Sequence, residues 1–252
     1  MIPGDDYLSE QYPRLFELCA TAKKGTFFDT EMSDRLKMYK EWADALGEYE
    51  RVLTCLDNKS WEYFKQKLLN IRGKHELYGY AHITDCLNEA YGYEYLKKEE
   101  YSNIKFIEPI QRKQTPDLRA VSKEGMIVIL EVKTIRPSRK QMQYFKNIEE
   151  KIKAGTLAPN DVNVFTQEVV LPDVFQEKLK STIESKRKQL SEYQNTMQNS
   201  KIRKILYMII NLDVKSWDKE IRDKAGSFLD SLSDEDNVEI RYYFPMFDRP
   251  TA

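Results

Sequence analysis

The stretch Thr115–Thr134, TPDLRAVSKEGMIVILEVKT, decides how the chain is organised. From Met126 to Val132 it is apolar except for Glu131 and rich in β-branched residues, which predicts a buried central strand. Side chains alternate faces along a strand, so Ile127, Ile129, Glu131 and Lys133 share one face and Val128, Leu130 and Val132 the other. Ser122-Lys123-Glu124-Gly125 has turn chemistry, with glycine free to take the unusual backbone angles. The turn returns Asp117–Val121 as an antiparallel neighbour and lets Asp117 approach Glu131 across the hairpin. A carboxylate and an ammonium at the end of a buried strand are costly unless they are paired or used.

Two carboxylates and a lysine at a sheet edge suit a hard divalent cation. Mg²⁺ takes oxygen ligands, commonly one or two carboxylates, and keeps waters for a substrate phosphate. The plain alternative is a hairpin with charges at its rim, since 32% of the residues are charged. An E-x-K triplet closing an apolar strand, with P-D on the preceding strand, is more specific than that. Pro116-Asp117 with Glu131-x-Lys133, thirteen residues intervening between the two acids, resembles the PD-(D/E)xK nuclease superfamily. The resemblance implies an α/β fold with a mixed-sheet, restriction-endonuclease-like core (αβββαβ). It also implies Mg²⁺- or Mn²⁺-dependent hydrolysis of DNA phosphodiesters. Asp117 and Glu131 would hold the metal, joined by the Val132 carbonyl, and Lys133 would assist the attacking water.

The surrounding chain fits that core with a helical extension in front. Residues 7–72 are expected to be helical: Met32, Leu36, Tyr39, Ala43, Leu46, Tyr49, Leu53 and Leu56 recur at helical spacing. Ser60 is expected to cap the next helix, whose apolar face is Trp61, Phe64, Leu68 and Ile71. This region, 1–72, carries no catalytic signature and is expected to serve as a helical cap or as a partner surface, for another protein or a second copy. The nuclease-like region is expected at 73–252, with an insertion at about 138–170.

A helix is expected from about Lys74 to Asn88, with Tyr80, Ile83 and Leu87 inward, Glu76 on the same stripe, and Asp85 and Glu89 away from it. In the nuclease superfamily the helix before the strands often carries a glutamate near the metal, and Glu76 matches that place. It equally suits the helix N-terminus, where a carboxylate favours the dipole. His75 and His82, seven positions apart, would be separated by about 10.5 Å on a helix, too far to share a metal.

Strands are expected at Lys105–Ile107, at Lys204–Asp213 in parallel beside the Glu131 strand, and at Val238–Phe244. An amphipathic helix is expected at 138–154, ended by Gly155, and a short edge strand at 162–170. A long helix from Pro172 to about Asn199 turns Phe175, Leu179, Ile183, Leu190 and Met197 inward. Residues 171–204 hold eight Lys/Arg against four Asp/Glu, densest at Lys186-Arg187-Lys188. Gln189 and Tyr193 lie one turn apart, and this Q-x-x-x-Y spacing resembles the RecB-like branch of the superfamily. There Gln189 would meet a phosphate or Lys133, Tyr193 would stack on a base, and Lys186 would contact a phosphate. A core aromatic at Tyr193 and a sheet-covering Gln189 are the other reading of the same spacing.

A net charge of −1 supplies no global attraction to nucleic acid, so a DNA surface must be local. Three scattered cysteines fit a reducing, cytoplasmic setting and supply neither a disulfide framework nor the four thiolates of an iron–sulfur cluster. No apolar run is long enough to span a membrane. A different class of protein suits the same residues: a nuclease-like fold that binds nucleic acid or protein without cleavage.

Overall fold

The computed structural model describes residues 5–70, 81–110, 114–136, 147, 150–151, 154–156, 173–197, 201–210, 219–232 and 237–244. The chain is α/β, and the five strands among the described residues form one mixed sheet, in which they stand side by side in chain order. It divides into two compact units, Met1–Phe106 and Ile107–Ala252, a later boundary than the one expected after residue 72.

The first unit holds α1 (Asp5–Gln11), α2 (Pro13–Thr21), a π-helical turn (Phe28–Met32), α3 (Ser33–Lys37), α4 (Tyr39–Thr54), α5 (Asn58–Asn70), α6 (Ala81–Lys98) and β1 (Ser102–Phe106). Its core gathers Leu15, Leu18, Phe28, Met32, Leu46, Leu53, Trp61, Phe64, Leu87 and Leu96, all essentially buried. Phe106, at the end of β1, stacks on Phe64 with ring centroids 4.8 Å apart and on Tyr63 and Tyr93 at 5.8 Å. Helix α2 starts at Pro13 with no acidic residue in its first turn. The buried Glu50 of α4 takes that role, accepting the amides of Arg14 and Leu15 at 3.0 and 2.9 Å.

Three helical expectations are corrected. The apolar repeat from Met32 to Leu56 is not one helix: it breaks at Met38, whose φ −97 and ψ 32 leave the helical region. Asp57, not Ser60, caps α5, since Asp57 Oδ1 accepts the Ser60 amide at 2.7 Å. The helix expected to end near Asn88 runs on to Lys98 through Gly92, because residues 86–94 are buried on every side and packing overrides the glycine. Glu89, expected away from the core, is buried there and pairs with Lys67.

The second unit holds β2 (Leu118–Val121), β3 (Ile127–Ile135), α7 (Asp173–Asn195), β4 (Ile202–Ile210), α8 (Lys219–Ser231) and β5 (Val238–Tyr243). Strands β2 and β3 pair antiparallel with Leu118 opposite Leu130. Strand β4 runs parallel to β3, as the sequence predicts, and β5 parallel to β4. The hairpin turn forms as read: Gly125 N donates to Ser122 O at 3.0 Å and Ser122 N to Met126 O at 2.9 Å. Gly125 sits at φ +79, where a Cβ would be strained. Helices α7 and α8 cover one sheet face, packing Leu179, Ile183, Leu190, Ala225 and Leu229 on Ile129, Ile135, Leu206, Met208 and Ile240. Glu131 and Lys133 lie on that same face of β3, between Ile129 and Ile135.

At Gly155, where a helix end is expected, the described residues 154–156 form a turn. Thr156 N reaches Lys151 O at 2.9 Å over Gly155 at φ +66, the wide closing bond of a left-handed helix terminus. Most of the 138–170 stretch, its expected edge strand included, lies outside the described residues.

Candidate metal and phosphodiester site

Asp117 immediately precedes Leu118, which pairs with Leu130, so it lies at the Glu131 end of the hairpin, where its charge acts on Glu131. Asp117 is fixed by its backbone on both sides: its amide donates to Leu130 O at 3.1 Å and its carbonyl accepts Ile107 N at 2.9 Å. Its side chain lies over the β3 backbone, where Oδ2 accepts the Val132 amide at 2.8 Å. Val132 thus meets Asp117 through its N–H, whereas the sequence reading assigned a role to its carbonyl.

Glu131 is buried, only 5% exposed, yet carries two oxygens that need partners. Helix α7 supplies both. Lys186 Nζ lies 2.5 Å from Oε1, and Gln189 Nε2 donates to Oε2 at 3.1 Å. Gln189, itself buried, also donates Nε2 to the Thr115 carbonyl at 3.2 Å and accepts Lys186 Nζ at 2.7 Å through Oε1. One carboxamide therefore joins the segment entering β2, the carboxylate on β3 and the ammonium on α7. The three-residue offset of Lys186 and Gln189 puts both on the helix face turned to the sheet.

Burial, then the charge of Asp117, pushes the Glu131 carboxyl up to about 7, against the opposing pull of Lys186 and Lys133. The two acids are thus close enough to repel. Lys133 is half-buried on the same strand face and lies near Glu131 in charge terms. Further along α7, Lys178 Nζ donates to the Arg136 carbonyl at 2.8 Å. Burial, then Lys133 and Arg136, holds the Lys178 ammonium below its ordinary value, so three cations gather at the carboxyl end of β3.

The donor set, two carboxylates whose charges repel, is of the hard-oxygen kind a divalent cation takes. Among the described residues no group of three or more His, Cys, Asp or Glu stands together. Glu76, the third carboxylate expected, lies outside the described residues, as does His75. His82 is exposed.

Tyr193, one turn beyond Gln189, is half-buried with its side chain against the helix–sheet core. Of the residues expected at the site, Asp117, Glu131, Lys133, Lys186 and Gln189 come together, with Lys186 on Glu131 where a phosphate contact was expected. Sequence reasoning missed the Thr115 carbonyl, since a backbone acceptor leaves no composition signal. It counted Lys178 only as one member of a basic stretch. No helix among the described residues is long and apolar enough to cross a membrane. No protein-family model, curated protein or solved structure matches the chain.

Proposed function

We propose that this chain is a Mg²⁺- or Mn²⁺-dependent deoxyribonuclease of the PD-(D/E)xK kind, with a restriction-endonuclease-like core behind a helical extension. The observation that carries the reading is the approach of Asp117 to Glu131 at the β2–β3 pairing, with Lys133 two residues on along the same strand face. The element order α6-β1-β2-β3-α7-β4 is the αβββαβ order expected of such a core. Gln189 beside Glu131 supports the RecB-like reading.

Asp117 and Glu131 are the residues that would hold the cation. When bound, it supplies charge neutralisation for the phosphate and a more acidic water. The chain's own part is positional. The Val132 amide and the Gln189 carboxamide each fix one oxygen of an acid, so both carboxylates are oriented before substrate arrives. Lys133 is the residue that would donate a hydrogen bond to the attacking water. Lys178, Arg136 and Lys133 form a local cationic patch on a chain of net charge −1, which suits a phosphate backbone. Three free cysteines suit a cytoplasmic setting.

A second reading, a nuclease-like module that binds DNA or protein without cleavage, is favoured by one observation: the Lys186 ammonium already lies on Glu131. Incubating the purified full chain with linear and circular DNA in Mg²⁺ or Mn²⁺, beside Glu131→Ala, separates the two. Metal-dependent cleavage lost in the variant supports the enzyme. DNA binding without turnover in either metal supports the module.

A further inference from the structure

We infer that Lys186 is a displaceable counter-ion, which competes with a divalent cation for Glu131 and moves to the substrate phosphate once the cation is bound. The inference rests on the reading of Asp117 and Glu131 as the metal-holding pair. The Lys186 ammonium is within hydrogen-bond distance of Glu131 Oε1, 2.5 Å, and of Gln189 Oε1, 2.7 Å. A divalent cation held by the same carboxylate would stand near that ammonium, where like charges repel in a partly buried site.

Local charge makes the same point. With both acids ionised, Asp117 and Glu131 carry two negative charges, and Lys186 and Lys133 are the cations that act on Glu131. A divalent ion would bring the group from balanced to doubly positive, so one cation must leave or an anion must join. Lys133 sits on a sheet strand, and its backbone is fixed on β3. The Lys186 side chain retains 21% exposure, and its stem can swing toward solvent without breaking the helix. A phosphate arriving with the metal supplies the new partner, while Gln189 keeps its hold on Glu131 Oε2 and the Thr115 carbonyl.

Lys186 thus acts as a positioning residue with two stations. On Glu131 it offsets buried charge and keeps the carboxylate oriented; on phosphate it adds a salt-sensitive contact. A lysine suits this better than arginine, whose rigid fork would lock onto the carboxylate.

The test is Mn²⁺ binding to the full chain by calorimetry, for wild type, Lys186→Met and, as control, Glu131→Gln. Lys186→Met is expected to bind Mn²⁺ at least about tenfold tighter than wild type, with a weaker salt dependence of DNA binding in Ca²⁺. Equal or weaker Mn²⁺ binding in Lys186→Met, with wild type still binding, overturns the counter-ion role and leaves the metal site standing. No Mn²⁺ binding in either protein overturns the metal site itself. Binding unchanged in Glu131→Gln moves the metal elsewhere and overturns both. Should Lys186→Met fail to fold, ¹⁵N-lysine spectra of the wild type decide: the Lys186 ammonium signal must shift on adding Mg²⁺, and a signal unmoved at saturation contradicts the inference.

Discussion

Gln189 Nε2 lies 3.1 Å from Glu131 Oε2, a bond between α7 and β3 that spans 58 residues of sequence. It is made by a buried amide that also holds the Thr115 carbonyl and the Lys186 ammonium. Cutting the side chain back leaves three polar groups to find new partners, at a cost of about 1–3 kcal/mol for a buried unsatisfied group. Gln189→Ala should therefore lower both thermal stability and, through a misplaced Glu131, cleavage by about tenfold or more. Tyr193→Phe, which keeps the ring against the core, should preserve both. Kinetics and melting of the two variants check this; a silent Gln189→Ala removes Gln189 from the site and the RecB-like reading with it.

Removing the charge of Glu131 should abolish cleavage without harming the fold. A carboxyl raised from 4.5 to about 7 favours the folded state in its protonated form. That contribution is complete below the unfolded value and disappears as pH rises through about 7, while glutamine keeps a neutral side chain throughout. In chelator at pH 8, Glu131→Gln should melt at least as high as wild type, by up to roughly 2–4 °C. The gap should narrow as pH falls toward 5. A large loss of stability at pH 8 would mark Glu131 as a structural acid held by Lys186.

Lys178 offers a test of the patch apart from the carboxylates. Its ammonium lies beside Arg136 and Lys133, whose like charges act on it, and donates to the Arg136 carbonyl. Lys178→Ala should relieve that repulsion, leaving the fold as stable as before, yet weaken DNA binding in Ca²⁺. The slope of log affinity against log salt should fall by about one unit for one lost phosphate contact. An unchanged slope places the DNA elsewhere.

In the helical unit, Asp57 is held below the usual carboxylate range, first by the Ser60 amide and also by Tyr93. A depressed carboxyl stabilises the fold above its unfolded pKa and loses that contribution as pH falls through its folded one. Asp57→Ala should cost about 1 kcal/mol near pH 7, the usual worth of an N-cap. Denaturation at acid pH, below the ordinary carboxylate range, should find wild type and variant converging. A constant difference across pH would mean the cap works through its shape and not its charge.

The legible parts of the fold were those where burial is one-sided or complete in short runs. Ile127–Ile135 and Ile202–Ile210 announce themselves as central strands because both are apolar and β-branched, and the turn between β2 and β3 because Gly125 supplies the left-handed residue. Parallel pairing of β3 and β4 follows from the helix between them. Helix α6 was harder: with residues 86–94 buried all round, no polar face marks its course, and Gly92 looks like a stop. Asp57 and Ser60 are both capping residue types three positions apart, so their order of use is set by where the chain turns. At the site, strand alternation and the P-D/E-x-K spacing located the acids. The partner of Lys186 was not legible, because a lysine in a basic run looks solvated until the helix is docked over Glu131.

The most direct measurement is the location of Mn²⁺ by anomalous scattering in a crystal of the full chain soaked with the ion. The account predicts one peak in direct coordination with a carboxylate oxygen of both Asp117 and Glu131, with Lys186 withdrawn from Glu131 Oε1. A soaked crystal with no peak there, or with Lys186 still bonded to Glu131 at saturating Mn²⁺, would contradict it.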